Sequence, residues 1–187
     1  MHLFGRKTAA YSLVELMIVA ALIGVLAMIA IPNFMRYQLR AKTSEARTNL
    51  AAIAVTEEAF FAEKGYYASV ANPSPPAIPG NTRVSWGGNA DFDSLGWIPE
   101  GPVYFQYLIS ADGQGGGRFT IEAASDVDAD GEICFFGYVK ASAGAGIDGR
   151  LVGSTCLGSG VFDPASGVTS VKRMAGPCDN LSGRKVF

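Results

Sequence analysis

Between Tyr11 and Ile31 the chain reads YSLVELMIVAALIGVLAMIAI, an apolar run whose one charge is Glu15. About 20 apolar residues suffice to cross a bilayer, so the run is long enough to span a membrane. A carboxylate inside such a segment costs at least a few kcal/mol, which makes Glu15 a functional residue by default. Residues 1–10 carry Arg6 and Lys7 and no carboxylate. A secretory signal peptide would have a shorter apolar region ending in a small-x-small site, and Ala30-Ile31-Pro32-Asn33 does not supply one. Ala20, Gly24 and Ala27 place small residues at helical spacing, where helices approach closely in lipid.

From Pro32 to Lys64 the pattern turns amphipathic. Leu39, Ala46, Leu50, Ile53 and Phe60 recur on one helical stripe, with Arg40, Lys42, Glu45, Arg47, Glu57 and Glu63 filling much of the remainder. Gly65 stands where a helix C-cap is expected, and Pro32 is read as a kink rather than a stop. One helix over Tyr11–Lys64 would be about 80 Å long, half apolar throughout and half amphipathic. Residues 65–102 read as irregular, with four prolines between Asn72 and Gly80. Trp86, Phe92 and Trp97 are expected to pin this connector to a core. Strands are predicted at Val103–Ser110, Arg118–Ala124 and Ile133–Ala141, separated by turns at Asp112–Gly117 and Asp126–Gly131. Phe119, Ile121 and Ala123 alternate with Thr120 and Glu122, the pattern of one buried face. A further strand is expected near Arg150–Ser154. The fold class is α+β, a long N-terminal helix packed on a three- to four-stranded antiparallel sheet.

The boundaries that follow are a leader at 1–10, a membrane or assembly half of the helix at 11–32 and an amphipathic half at 33–64. A helix-to-sheet loop follows at 65–102, then the sheet at 103–141 and a loop-rich C-terminal region at 142–187. The sole histidine is His2, so removal of a leader would leave a chain without histidine-based acid–base or metal chemistry. No concentrated basic face marks a nucleic-acid partner. Lys172-Arg173 and Arg184-Lys185 read as solvated surface. An enzyme is not expected.

Asp126, Asp128 and Asp130 stand at alternate positions before Gly131, like the first half of a calcium loop, with Glu132 able to add its carbonyl. Gly137 occupies the place of the bidentate glutamate of an EF-hand, so the motif is incomplete. The competing reading is an acidic turn between two strands. Of the three cysteines, Cys134 lies in apolar sequence, whereas Cys156 and Cys178 lie in loop-like sequence where exposed thiols oxidise outside the cytoplasm. Two pairings stay open. Cys156–Cys178 is one; a hairpin turning at Ala145 would instead oppose Cys134 and Cys156. Basic residues lie on both sides of the apolar run, and by number they lean toward a cytoplasmic C-terminal part, opposite to the cysteines.

Tyr11-Ser-Leu-Val-Glu-Leu-Met-Ile-Val19 resembles the class III signal of type IV prepilins: a short basic leader, a small residue at the cut, an aromatic, then aliphatics, Glu and a long apolar run. Ala10 stands where these peptidases prefer Gly, and Tyr11 replaces the usual Phe. Gly24, Pro32, Ile31-Pro-Asn-Phe34 and Ser44–Leu50 are also similar to pilin sequence. Phe60-Phe-Ala-Glu-Lys-Gly-Tyr66 is similar to type IVa pilins of the deltaproteobacterial branch. The resemblance implies cleavage between Ala10 and Tyr11 by a prepilin peptidase, N-methylation of Tyr11, and assembly roles for Glu15, Gly24 and Pro32. It implies a pilus subunit for motility, adhesion or DNA uptake. Such a subunit is held in the inner membrane with its C-terminal domain in the periplasm, then becomes extracellular in the filament. Its partners would be its own copies, inner-membrane assembly machinery and membrane lipid. It also implies a disulfide-bounded C-terminal region, favouring Cys156–Cys178. A minor pilin, a type II secretion pseudopilin and a membrane-tethered adhesin are the competing readings.

Overall fold

The computed structural model describes residues 11–142 and 146–184. The chain divides between Gln38 and Leu39 into an N-terminal unit and a globular unit. Helix α1, Leu13–Lys64, contributes to both and continues through Pro32. Its first turn is capped by Ser12, whose Oγ accepts the Glu15 amide at 3.2 Å. Its last turn closes at Gly65, which has φ +79° and donates its amide to the Phe61 carbonyl at 2.8 Å. A left-handed residue there favours glycine, as the sequence indicated.

In the globular unit the expected stripe is the buried one. Ala46, Leu50 and Ile53 are fully buried, with Leu39 and Phe60 partly so, in one core with Phe105, Ile109, Ile121 and Phe136. Polar residues beside the stripe fasten the connector and sheet to the helix. Lys42 Nζ donates to the carbonyls of Asn81 and Val127, at 2.9 and 3.2 Å. Glu45 accepts the Tyr104 amide at 2.8 Å, and Asn49 donates to the Tyr107 hydroxyl at 2.9 Å. Glu57, assigned from sequence to the polar remainder, lies within the stripe and is fully buried.

The connector is not wholly irregular: it contains helix α2, Ala90–Leu95. Asn89 caps it by accepting the amides of Asp91 and Phe92, and Gly96 ends it at φ +82°. Trp86, Phe92 and Trp97 do anchor the segment, packing edge-on or tilted with Tyr107 at centroid separations of 5.1–6.2 Å. Residues 70–74 lie along the outer edge of strand β1 (Gln106–Ala111). Val70 donates to Ile109, and Ser74 exchanges two backbone bonds with Tyr107. That covers an edge otherwise open to strand addition.

Strands β2 (Phe119–Ser125) and β3 (Cys134–Lys140) follow the predicted runs to within a few residues. Strand β4 (Val161–Asp163) pairs with β5 (Val168–Val171) in a separate hairpin. The fourth strand of the main sheet is β6, Gly176–Pro177, giving the antiparallel order β1-β2-β3-β6. Residues 151–154 form a turn, so the strand expected near Arg150–Ser154 is absent. A five-residue helix, α3 (Asn180–Arg184), closes the described chain.

The alternation in β2 has a different meaning from the expected one: all seven of its residues are buried. Phe119, Ile121 and Ala123 share a face with Phe136 and Tyr138 and join the core that contains α1. Thr120 and Glu122 share the opposite face with Gly137 and Val139, and the returning C-terminal segment covers it. The disulfide Cys156–Cys178 lies on that second face, with a Cα separation of 4.7 Å. Cys134 is buried outside the disulfide, in phase with Phe136 on the other face, so the Cys134–Cys156 alternative does not form. Ala145, the proposed hairpin turn, lies outside the described residues.

Gly137 leaves room for the disulfide. A Cβ there would meet Cys178 Sγ at 2.8 Å, Cys156 Sγ at 3.1 Å and the Ile121 carbonyl at 3.4 Å. Gly137→Ala is therefore expected to cost about 1–3 kcal/mol despite alanine's better backbone entropy. Urea unfolding of oxidised wild type and variant in detergent measures it; equal midpoints would show that the sulfurs move aside freely.

Candidate functional site: an exposed apolar helix with one carboxylate

The N-terminal unit presents apolar surface on every side. Tyr11 is 76% exposed, Leu13 75% and Met28 78%, and no residue of the most apolar stretch of α1 is buried within the chain. Apolar area on this scale requires lipid or protein to cover it. No basic residue occurs between Tyr11 and Met35 to pair with Glu15, and Arg36 is the first. A Cβ added at Gly24 would meet nothing within 4 Å, so this chain's own packing does not require glycine there. The open surface at Gly24 suits close approach by another helix.

Ser12 and Glu15 form the S-x-x-E start of a capping box. The hydroxyl accepts the Glu15 amide, and the Leu16 amide donates to the Ser12 carbonyl at 3.2 Å. Glu15 thus also sits in the first turn, where a carboxylate opposes the positive end of the helix dipole. The sequence signal for this second role was present in the Ser–Glu spacing. Ala10 and residues 1–9 lie outside the described residues, and with them the N-terminal side of the expected cut before Tyr11.

Asp126, Asp128 and Asp130 do converge, with one ligand oxygen from each lying within 4.8 Å of the others. The turn is also built from those same groups. Asp126 Oδ1 accepts the Asp130 amide and Oδ2 the Gly131 amide, both at 3.1 Å, while Asp130 Oδ1 accepts the Glu132 amide at 2.9 Å. Backbone satisfaction accounts for these residue types in a tight turn with Ala129 at φ +59° and Gly131 at φ +89°.

Two buried carboxylates escaped the sequence reading. Glu122, fully buried on β2, accepts the amides of Arg150 and Leu151 at 2.5 and 3.1 Å and the hydroxyl of Ser154. Burial pushes its pKa up, against the downward pull of Ser154, the two amides and the Arg150 charge. Arg150 in turn reaches Ser110 Oγ at 2.9 Å, the Val70 carbonyl at 2.7 Å and the Ile109 carbonyl at 3.0 Å. Together they hold the loop before Cys156 on the sheet. Glu57 is the other, fully buried near the end of α1, with its Oε2 accepting the Ala68 amide at 3.0 Å.

Comparison with known proteins bears on the N-terminal site. The family described as the prokaryotic N-terminal methylation motif matches residues 5–31. Over 69 residues the chain is 51% identical to the type IV major pilin protein PilA of Myxococcus xanthus (strain DK1622). That match covers 37% of this chain and 31% of the relative, so it spans under a third of that protein's length.

Proposed function

We propose that this chain, a type IV pilin by its N-terminal segment, is a structural subunit of a type IV pilus. The observation that carries the proposal is the methylation motif at residues 5–31, which from Leu13 onward overlaps a helix whose apolar surface is exposed around a single carboxylate. Before assembly, residues 11–32 anchor the subunit in the inner membrane. The globular unit lies in the periplasm, where a disulfide such as Cys156–Cys178 is at home. A prepilin peptidase cuts between Ala10 and Tyr11, and the new Tyr11 amine is methylated. The apolar helix then leaves lipid for a bundle of its own copies, with Gly24 and Pro32 marking the segment of α1 with the poorest helix formers. The product is an extracellular filament serving motility, adhesion or DNA uptake.

Sheared filaments analysed by intact mass spectrometry test this directly. A dominant component beginning at methylated Tyr11 is the expected result and identifies a major pilin. Trace amounts of the same species would assign a minor pilin or pseudopilin. A chain confined to the membrane with residues 1–10 retained would overturn the proposal in favour of a tethered binding module.

A further inference from the structure

Glu57 is an ionisable group buried in the globular unit with only half of its carboxyl hydrogen-bonded among the described residues. It sits in the buried stripe of α1 between Ile53 and Phe60, with no exposed surface. One carboxyl oxygen, Oε2, accepts the Ala68 amide at 3.0 Å; the other, Oε1, is buried with no hydrogen-bond partner among the described residues. A carboxylate buried this way has lost its water and gained one neutral donor, so the neutral acid is the form that fits.

The surrounding charges do not rescue the ionised form. On α1, the adjacent Glu58 repels it. From β3, Lys140 is committed to Glu58 at 2.5 Å and to the Tyr67 hydroxyl, and Tyr138 adds no positive charge. Tyr67, on the segment that covers Glu57, donates to Glu58 Oε2 at 3.1 Å. Arg150 is engaged with the carbonyls of Val70 and Ile109 and with Ser69 and Ser110. Burial, opposed by the Ala68 amide and reinforced by Glu58, pushes the Glu57 pKa up to about 8.

The group occupies a mechanical position. Residues 65–70 leave the helix at Gly65 and carry Tyr67 and Val70 into the core. Glu57 is the helix residue that bonds the backbone of this segment at Ala68.

We propose that Glu57 is a proton-operated latch, holding the segment after α1 against that helix while protonated and favouring its opening once the proton is lost. Opening lets water reach the carboxylate, which restores an ordinary acidity of about 4.5 in the open form. The folded value is the raised one, so the closed state has its full advantage below about 4.5. It loses that advantage as pH rises toward about 8 and is level above that. Within this window the open population grows about tenfold per pH unit.

Amide exchange measured by NMR on the full chain in detergent micelles, where closing outpaces exchange, reads the latch. Base catalysis alone raises exchange about tenfold per pH unit, so the amides of Ala68 and Val70 should accelerate about a hundredfold per unit between pH 5 and 8. In Glu57→Gln, which keeps an acceptor for Ala68 and cannot ionise, the same amides should accelerate only about tenfold. Equal slopes in the two proteins would overturn the proposal. A carbon-13 titration of the Glu57 carboxyl in the unmodified chain guards against a variant that fails to fold. A midpoint near 8 supports the latch, and one near the ordinary 4.5 overturns it.

Discussion

A chain carrying Glu15→Ala should reach the membrane at normal levels and yield no filaments. Insertion is the easier half of the argument. Removing the one carboxylate of the Tyr11–Ile31 run relieves a cost of at least a few kcal/mol, and the Ser12 cap on the first turn stays in place. Assembly is the harder half. Cleavage after Ala10 would leave an ammonium at Tyr11, about one helical turn from Glu15. Inside a bundle of apolar helices that charge needs a partner, and Glu15 of a neighbouring copy is the carboxylate the segment offers. Breaking a buried pair by removing one member costs about 3–5 kcal/mol, because the remaining charge is stranded. At every interface of a growing filament this amounts to at least about a hundredfold, which ends polymerisation. If Glu15 served only the helix dipole, its loss would cost about 0.3–1 kcal/mol and filaments would persist. Immunoblots of membrane and sheared-surface fractions separate the outcomes, with abundant surface filaments in the variant contradicting the pairing.

What could be read without coordinates was whatever has a local period. The helix, its stop at Gly65, its buried stripe and the three main strands are all encoded in neighbouring residues, and they stand where the periodicity put them. The misreadings share a physical cause: each depends on a segment distant in sequence. Thr120 and Glu122 look solvent-facing until residues 146–178 return across the second face of the sheet. Strand β6 has only two residues, one of them proline, and is a strand because β3 offers it an edge. Val152 lent Arg150–Ser154 a strand-like composition, whereas the backbone there turns to deliver two amides to Glu122. The favoured pairing Cys156–Cys178 is no misreading; strand parity, which places Cys134 and the disulfide on opposite faces, is what rules out its rival. Glu57 is the exception. It lies four residues after Ile53 and three before Phe60, so its burial was legible in the helical spacing, and its charge disguised it.

Replacing Glu122 with alanine should cost about 3–5 kcal/mol and expose the loop around Arg150 to trypsin. Three donors converge on that carboxylate: the amides of Arg150 and Leu151 and the hydroxyl of Ser154. Each becomes an unpaired polar group at a buried site, worth about 1–3 kcal/mol before any entering water offsets the loss. The rest of the loop stays tethered because Cys156 remains bonded to Cys178, while Arg150, its backbone no longer seated, is freed to release Val70, Ile109 and Ser110 and enter the protease. The damage is therefore local opening on top of a lowered unfolding midpoint. Glu122→Gln distinguishes the bonds from the charge. Its amide oxygen can still accept both backbone amides and its nitrogen can donate to Ser154, so it should retain most of the stability and resist cleavage at Arg150. If the alanine and glutamine variants unfold at the same denaturant concentration, the three hydrogen bonds are not what holds this loop to the sheet.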